Sequence, residues 1–491
     1  MNMARKTGCE SLAAKPGQKL PVVVVGGGSS GLSAAVALAR HGVDVLVLEE
    51  NISIGGAVAR QPPALVPVSQ DGAPARTDAY LPETNPHASA LFQEAARYGD
   101  RIRIRLGAQV LGSLRPGRLA VLCDGLLHEV EYHQAIICTG CHERAQPFPG
   151  WTLPGVMSIG GVQLQIKAGL VRPGKSIVLA GTGPLLPVAA RQLVEAGVRV
   201  LGVFESGRRR DLMRRPLDLA QAPWLLAEGM RCLSFLRRNR VPVRYGWGIV
   251  AAEGDHGVQR AVVAPYDSEW RPDRDRALSL DTDYLAVGYG FVARSQLCAQ
   301  LGCELTWHPV ANGDVPVRDE WMQTSRPGVY SAGDSAGVYG AYTAAAEGHL
   351  AALGCLVATG VLSREQAEVE AAPSRRRLDK LRRFRHAFES YSGMRPGLLT
   401  LPAADTTVCR CENVSLAQID DAIERGASSM IGLKMATRIS MGDCQGKLCG
   451  PFCREYLARR TGRVPAEVGA LRPRFPLAPL PFDALTIDEE I

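Results

Sequence analysis

The sequence contains no long hydrophobic run. Hydrophobic residues make up 46% of the 491-residue chain, yet no stretch reaches the roughly 18 consecutive apolar residues that a membrane-spanning helix needs. The first 20 residues are polar and lack the apolar segment of a secretion signal. We therefore expect a cytoplasmic protein, with any contact at the inner face of the cell membrane being peripheral and made through a complex.

Aromatic residues and net charge are also low, at 6% of the chain and a formal +7. The arginines are scattered among acidic residues, and no basic patch interleaved with aromatic side chains is present. This pattern excludes nucleic acid as a partner. The chain is too long for one hydrophobic core, and a prior of about 150 residues per domain predicts three domains.

One strong nucleotide-binding pattern lies near the beginning of the chain, at residues 21–49. A buried strand leads into Gly26, Gly28 and Gly31, which have GxGxxG spacing and precede an alanine- and leucine-rich helix. Such glycines allow a tight turn, close approach of a pyrophosphate and close packing of the helix against the strand. A second strand ends at Glu49, whose carboxylate can accept hydrogen bonds from both ribose hydroxyls.

Three later segments extend this pattern. A turn at Gly56 is expected to approach the same ligand, ahead of a polar loop that reaches about residue 82. The peptide IICTG ends at Gly140, and the peptide TSRPGVYSAGD ends at Gly333 and Asp334. These two peptides resemble the strand-end motif and the second FAD fingerprint of two-dinucleotide flavoproteins such as thioredoxin reductase. The resemblance implies FAD in the first domain, with Asp334 at the ribityl chain; another adenine nucleotide is the alternative.

A second nucleotide-type unit is incomplete. A strand leads into Gly181 and Gly183, but Leu186 stands where the third glycine would be. The next strand ends at Glu205, which favours ribose hydroxyls over a 2'-phosphate. Two interpretations stay open: a nucleotide site at these glycines, or a packing domain whose site is vacant or reassigned.

The thirteen cysteines are not expected to form disulfides in a reducing compartment, so their spacing carries the information. Cys138 and Cys141 form CxxC at a strand end, where packed thiols are favoured over a redox pair. Five more cysteines crowd between residues 409 and 453. This crowding is typical of a metal site.

The metal-ligand candidates are two pairs of thiols, Cys409 with Cys411 and, after 32 residues, Cys444 with Cys449. Four thiolates can bridge two irons, while zinc also accepts four cysteines. The spacing resembles the 2Fe-2S domain of the bacterioferritin-associated ferredoxin type, which implies a 2Fe-2S cluster on these four residues. Cys453 is expected to be a bystander.

The fold class follows from these units. We expect an α/β flavoprotein with two dinucleotide-binding Rossmann domains, like thioredoxin reductase and glutathione reductase, followed by a small bacterioferritin-associated-ferredoxin-like 2Fe-2S domain. The strand at residues 283–290 is expected to return the chain to the first domain. The expected boundaries are an FAD domain at 21–150 and 280–360, a nucleotide domain at 151–279, a linker helix at 365–400, a 2Fe-2S domain at 405–465 and a tail at 466–491. The tail lies either along a partner or over its own domain.

Residues 21–480 together resemble the electron-accepting subunits of heteromeric amino-acid dehydrogenases: hydrogen cyanide synthase, opine oxidase and hydroxyproline dehydrogenase. The peptides GCHERAQPFPGWTLPGV and DCQGKLCG carry this resemblance. It implies a D-amino-acid-oxidase-like partner that oxidises the substrate, a quinone or carrier as electron acceptor, FMN or a second nucleotide at the interface between subunits, and a small ferredoxin-like subunit.

No His, Lys or carboxylate constellation for proton abstraction stands out near either fingerprint, so the catalytic residues are unassigned. Two other functions are considered. One is a stand-alone NAD(P)H-dependent disulfide or ferredoxin reductase. The other is a scaffold whose nucleotide sites only stabilise a partner enzyme.

Overall fold

A five-stranded parallel sheet forms the centre of the first domain. The computed structural model describes residues 20–62, 86–311 and 313–485, so most of the predicted polar loop up to residue 82 lies outside the described residues. Four of the strands are fully buried because both faces of the sheet are covered there, whereas the edge strand at residues 102–106 contains two arginines and is partly exposed. In order across the sheet they are Val329–Ser331, Ala135–Ile137, Val22–Val25, Val45–Glu49 and Ile102–Leu106.

The two faces of this sheet are covered differently. Side chains of Val22 and Val24 join the core against helices, and those of Val23 and Val25 join the core against a three-stranded antiparallel sheet. The helices are Ser29–Arg40, Pro86–Arg97 and Ala341–Ala358, and the antiparallel strands are Gln109–Gly112, Arg118–Cys123 and Leu126–Glu131.

A second five-stranded parallel sheet forms the second domain. Its strands, in order, are Val243–Tyr245, Arg199–Glu205, Ser176–Gly181, Tyr284–Gly288 and Val156–Ser158. Helices cover one face and an antiparallel sheet covers the other. These elements are the helices Ile159–Lys167, Leu185–Glu195 and Pro223–Arg238 and the strands Trp247–Glu253, Arg260–Pro265 and Leu278–Asp281.

The prediction that the strand at residues 283–290 returns the chain to the first domain was wrong. The strand Tyr284–Gly288 pairs with Ser176–Gly181 and with Val156–Ser158, so it belongs to the second sheet. The chain returns at Phe291–Ala293, which pairs with Cys141–Glu143, and the expected boundary at residue 280 is therefore too early. A buried apolar strand has the same sequence character in either sheet, and only the pairing distinguishes them.

The described residues also contain shorter elements. They are the helices Arg209–Leu212, Pro216–Leu219 and Gln296–Gln300, the paired strands Leu305–His308 and Gly313–Pro316, and 3-10 helices at Arg274–Arg276, Gly333–Ser335, Pro396–Thr400 and Phe482–Leu485.

The predicted linker is one long helix, Arg364–Ser392, which begins at a capping box formed by Ser363 and Gln366. Its apolar residues Leu378 and Leu381 are buried. Because the helix packs along Ala341–Ala358 and its last turn reaches the second domain, it is an integral part of the structure and not a free connector.

The carboxy-terminal domain has its own hydrophobic core. A capping box of Ser415 and Gln418 begins its first helix, as the sequence predicts. The elements are the paired strands Thr407–Cys409 and Val414–Ser415 and the helices Leu416–Glu424, Met430–Thr437 and Cys449–Arg460.

The tail folds back over its own chain up to Leu485, and residues 486–491 lie outside the described part. The amide of Leu477 donates to the carbonyl of Leu111 (2.8 Å), and Ala484 is fully buried. This favours the second of the two interpretations of the tail. In the described ranges, no helix has the length and apolar character needed to cross a bilayer.

A close helix–helix contact in the first domain joins Ser29–Arg40 to Ala341–Ala358. A Cβ at Gly348 would collide with the backbone carbonyl oxygen of Ser30. Two helices can approach this closely only where one of them lacks a side chain. The contact also fixes the start of the helix that follows the glycine-rich turn.

We expect Gly348→Ala to lower the free energy of unfolding by about 1–3 kcal/mol, because a single methyl group must displace one backbone from another. The matched control is Gly229→Ala in the helix Pro223–Arg238, where a Cβ meets no atom within 4 Å. This control should be neutral or slightly stabilising, since alanine favours a helix over glycine. Denaturant unfolding followed by circular dichroism measures both, and equal stability of the two variants would contradict the close contact.

Candidate functional site

The first glycine-rich turn has the geometry of a dinucleotide cradle. Gly26 has φ +111°, and a Cβ there would collide with the carbonyl oxygen of Cys138. A Cβ at Gly31 would collide with the carbonyl oxygen of Gly26, so this position fixes the helix on the strand. At Gly28 the nearest atom to a Cβ is the Cα of Gly56, at 3.6 Å. A Cβ at Gly28 would therefore be in van der Waals contact with the second turn, so the missing side chain lets the two turns lie side by side.

Glu49 is buried at the end of the second strand. Its Oε2 accepts a hydrogen bond from the amide of Gly27 (2.6 Å), and its Oε1 accepts one from the amide of Asn51 (2.9 Å). The amide of Gly55 donates to the carbonyl of Gly27 (2.9 Å), which brings the second turn alongside the first. The carboxylate and both turns thus meet at one place, as a ribose site requires.

Asp334 fixes the start of the helix Ala341–Ala358. Its Oδ1 accepts hydrogen bonds from the amides of Tyr339 and Gly340, both at 3.0 Å. Burial raises the pKa of Asp334. The carboxylate and the exposed amides of the helix N-terminus therefore lie at one wall of the site, which is the arrangement that suits a flavin.

Gly333 and Gly140 shape the backbone beside Asp334. Gly333 has φ +75°, and its amide donates to the fully buried carboxylate of Glu347 (3.0 Å). Gly140 has φ +71°, and its carbonyl accepts a hydrogen bond from the amide of Arg294 (2.9 Å). Both glycines adopt the left-handed conformation that other residues rarely tolerate.

The CxxC thiols do not form a redox pair. The thiol of Cys138 lies against the hydroxyl of Ser30 (3.3 Å), and burial raises its pKa to about 12. The thiol of Cys141 points to Oδ2 of Asp334 (3.8 Å), and burial together with this carboxylate raises its pKa as well. Each sulfur has a separate partner and is held as the unreactive thiol.

In the second glycine-rich unit, the strand-end carboxylate accepts hydrogen bonds from the chain itself. Glu205 is fully buried, and its carboxylate accepts hydrogen bonds from the Thr182 hydroxyl (2.7 Å) and from the amides of Gly183 (2.9 Å) and Gly207 (2.8 Å). Burial raises the pKa of Glu205 to about 7. The ring of Tyr391 lies so close that a Cβ at Gly207 would be 2.7 Å from it.

Gly181 and Leu186 show how this unit departs from the first. Gly181 has φ +146°, and a Cβ there would collide with the carbonyl oxygen of Gly288. The side chain of Leu186 is buried in the hydrophobic core of the domain. The missing third glycine is therefore replaced by a core residue.

The four candidate metal ligands lie together as two contacting pairs. The thiol of Cys409 contacts that of Cys449 in the interior, and the thiol of Cys411 contacts that of Cys444 nearer the surface. Cys453 is also buried and contacts Cys449. Among the described residues, no three His, Cys, Asp or Glu side chains surround a single-ion position. Two pairs of sulfurs suit two irons better than one zinc ion.

Backbone groups support these sulfurs. Amides of Glu412 and Ser440 point at Cys409, and the amide of Cys444 points at Cys411. A Cβ at Gly442 would collide with the Cβ of Cys411. The loop is therefore shaped around thiolates that accept hydrogen bonds from N–H groups, as iron-sulfur ligands do.

A cavity of about 2060 Å³ joins the three domains. Its lining includes Asp334 and Gly340 of the first domain, Gly183 and Glu205 of the second, and Cys444 and Lys447 of the third. The structure thus brings the second FAD-type fingerprint and the cysteine loop to one space. The predicted residues Gly26, Gly28, Gly31, Glu49, Gly56, Gly140, Gly181, Gly333, Cys409, Cys411 and Cys449 lie outside its lining.

His142, Glu143 and Arg144 entered only as part of the peptide GCHERAQPFPGWTLPGV, and the sequence assigned them no role in the site. His142 Nε2 lies 3.1 Å from the carbonyl oxygen of Lys447. Glu143 accepts a hydrogen bond from the amide of Gly160 (2.8 Å), and burial raises its pKa. The available signal was the run of three ionisable residues that follows the strand-end motif at Gly140.

The fully buried guanidinium of Arg144 makes a two-pronged ion pair with Glu455, with N–O distances of 2.8 and 3.0 Å. Glu455 belongs to the helix Cys449–Arg460, which begins at a candidate ligand. The carboxy-terminal domain is therefore attached to the first domain next to the cavity.

Known proteins share this architecture. The family model described as pyridine nucleotide-disulphide oxidoreductase matches residues 20–348, and the one described as BFD-like 2Fe-2S binding domain matches residues 407–459. L-proline dehydrogenase from P. horikoshii has the same fold, with a TM-score of 0.67 and 18% identity over 95% of this chain and 79% of that chain. The cofactors are FAD and a 2Fe-2S cluster.

Two relatives align over nearly their whole length. Hydrogen cyanide synthase subunit HcnB of Pseudomonas aeruginosa is 43% identical over 94% of this chain and 97% of that protein. An opine oxidase subunit of Agrobacterium tumefaciens is 31% identical over 94% of this chain and 90% of that protein. The chain therefore belongs to the pyridine nucleotide-disulphide oxidoreductases and, among them, to the family that contains hydrogen cyanide synthase subunit HcnB and this opine oxidase subunit.

Proposed function

We propose that the chain is the electron-transfer subunit of a heteromeric dehydrogenase that oxidises a small amino or imino acid. The substrate class is glycine, an opine or hydroxyproline. The observation that carries the proposal is the cavity shared by Asp334, Gly340 and the loop of Cys444 and Lys447. A two-electron centre and a one-electron centre at the walls of one space are what an electron conduit needs.

FAD supplies two-electron chemistry and the cluster supplies one-electron chemistry, so two single-electron transfers to a quinone or carrier protein balance each substrate oxidation. The residues of the chain bind and orient these groups. Gly28 would leave room for the pyrophosphate, Glu49 would accept hydrogen bonds from the ribose, and Asp334, which fixes the helix N-terminus, would hold the ribityl chain. Cys409, Cys411, Cys444 and Cys449 hold the cluster.

The proposed substrate site lies in a partner protein. The relatives named above are themselves called subunits, and their names give cyanide synthesis and opine oxidation as the activities of their complexes. We propose a D-amino-acid-oxidase-like flavoprotein as the partner, together with a small ferredoxin-like subunit. Delivery of electrons to a quinone would place the complex at the inner face of the membrane.

The incomplete second nucleotide unit supports an additional ligand. Gly183 and Glu205 line the cavity, whose volume exceeds what one cofactor ring requires. We propose FMN or a second nucleotide here, at the interface between subunits.

A stand-alone NAD(P)H reductase is the second candidate function, supported by the turn at Gly181 and Gly183. It is disfavoured because Leu186 takes the place of the third glycine and because the two CxxC thiols have separate partners.

The proposed cluster ligands can be tested by serine substitution. We expect Cys409→Ser, Cys411→Ser, Cys444→Ser and Cys449→Ser each to remove the 2Fe-2S cluster, because an alcohol is a poor ligand for iron at neutral pH. Cys453→Ser is the matched control, a buried neighbour of Cys449 that should keep the cluster. Iron and sulfide analysis and the visible spectrum measure the result. Bound zinc without iron or sulfide would disprove the assignment.

The proposed FAD site can be tested at two of its residues. Asp334→Ala removes a charged acceptor worth about 1.5–3 kcal/mol, and Gly28→Val fills the space for the phosphates. We expect both variants to purify with much less flavin than the wild type. Asp334→Asn should retain more flavin than Asp334→Ala, since its amide oxygen can still bond Tyr339 and Gly340. Wild-type flavin content in both Asp334→Ala and Gly28→Val would show that the site lies elsewhere.

Activity should require a partner. We expect the isolated chain not to oxidise glycine, opines or hydroxyproline with an artificial electron acceptor, whereas the co-expressed complex oxidises one of them. The physical reason is that the chain carries electrons and lacks the substrate site. Turnover by the isolated chain at the rate of the complex would place an amino-acid site inside it. Rapid bleaching of its flavin by NADH alone would favour the reductase.

A further inference from the structure

The segment that leaves the strand Ala135–Ile137 touches both redox centres of the proposed function. Cys141 lies against Asp334, at the flavin wall of the cavity. The next residue, His142, lies against the carbonyl of Lys447, which is between Cys444 and Cys449. Two adjacent residues therefore span the distance from the flavin fingerprint to the cysteine loop.

The state of the His142 ring follows from its surroundings. A carbonyl oxygen can only accept a hydrogen bond, so Nε2 carries the proton and donates to Lys447 at 3.1 Å. Burial lowers the pKa of His142 to about 4, so the ring is neutral at pH 7. Nδ1 is then an unprotonated acceptor.

Nδ1 of His142 has no bonding partner. It is buried and makes no hydrogen bond within the described part of the chain, while the residue lines the cavity. A buried acceptor without a partner costs about 1–3 kcal/mol. Such a group at the wall of a cofactor cavity points to a donor supplied by the molecule that binds there.

Two ion pairs that attach the carboxy-terminal domain to the first domain support the contact between His142 and Lys447. Arg144, two residues after His142, makes its buried ion pair with Glu455. Arg454, the neighbour of Glu455, pairs with Asp314 of the first domain (2.7 Å). Both ion pairs hold the helix that begins at Cys449 against the first domain. They therefore fix the position of Lys447 relative to His142.

We propose that His142 is the positioning residue that couples the cavity to the cluster, with Nδ1 accepting a hydrogen bond from the bound flavin and Nε2–H donating to Lys447. This inference rests on the proposed function, because it assumes that electrons pass from flavin to cluster. The path runs from the cavity through the imidazole and one hydrogen bond into the loop that carries Cys444 and Cys449. Electrons would cross this path one at a time. The quinone or carrier that accepts them from the cluster would be the final oxidant, so that the electrons balance.

The test compares His142→Leu with His142→Gln in the holoprotein. The flavin is photoreduced in a flash, and absorbance at two wavelengths follows flavin reoxidation and cluster reduction. Leucine has no donor, so we expect the transfer rate to fall about tenfold, which corresponds to about 1.4 kcal/mol in the activation free energy. Glutamine can still donate to Lys447 and should restore the rate to within about twofold, about 0.4 kcal/mol on the same scale.

Three further measurements make the result decisive. His349→Leu is the matched control, a half-buried histidine that bonds Ser374 between two helices away from the cluster, and it should transfer at the wild-type rate. Redox titration should give unchanged midpoint potentials for His142→Leu, which separates lost coupling from a changed driving force. Glu455→Gln, which weakens the ion pair with Arg144, should also slow transfer.

The outcomes distinguish the two hypotheses. Wild-type transfer rates in His142→Leu with both cofactors bound would overturn the role of His142. If His142→Leu fails to fold or loses its cluster, the transfer rate of Glu455→Gln is measured instead. A wild-type transfer rate in Glu455→Gln would overturn the inference. A wild-type protein whose reduced flavin never reduces the cluster would instead refute the proposed function.

Discussion

The site depends on how the backbone leaves the strand Ala135–Ile137. The carbonyl of Cys138 packs against Gly26, and the thiol of Cys141 contacts the carboxylate of Asp334. Three residues after Cys141, the buried guanidinium of Arg144 requires Glu455, because an unpaired buried charge costs about 3–5 kcal/mol. One strand end thus ties the glycine turn, the second fingerprint and the cluster domain into a single arrangement.

Buried carboxylates organise the turns around this strand end. Glu49, Glu205 and Asp334 each accept hydrogen bonds from backbone amides of a glycine-containing turn. These bonds offset the loss of hydration and hold the loops in shape without a ligand. The two strand-end glutamates differ in what lies beside them. Beside Glu49 the neighbouring turn contributes Gly56, which has no side chain, whereas beside Glu205 the last turn of the helix Arg364–Ser392 contributes the ring of Tyr391.

The sequence predicted the individual units well, because each depends on contacts between nearby residues. GxGxxG predicts a strand, turn and helix, since only glycine permits the backbone contacts at Gly26 and Gly31. The capping box at Ser415 predicts the helix start. The cysteine spacing identifies the same four cysteines, but the structure pairs them differently, Cys409 with Cys449 and Cys411 with Cys444. The two strands that flank the first glycine-rich turn lie at Val22–Val25 and Val45–Glu49, where the pattern predicts them.

The assembly of these units could not be predicted, because it depends on contacts between residues far apart in the chain. The strand Tyr284–Gly288 joined the second sheet through pairing that its apolar composition does not specify. His142 met Lys447, and Arg144 met Glu455, across about 300 residues of sequence that no local pattern connects. The sequence by itself determined which cofactor sites the chain can build, since those are local. Only the tertiary structure decided that Asp334, Glu205 and Cys444 line one cavity, since that follows from the packing of three separate cores.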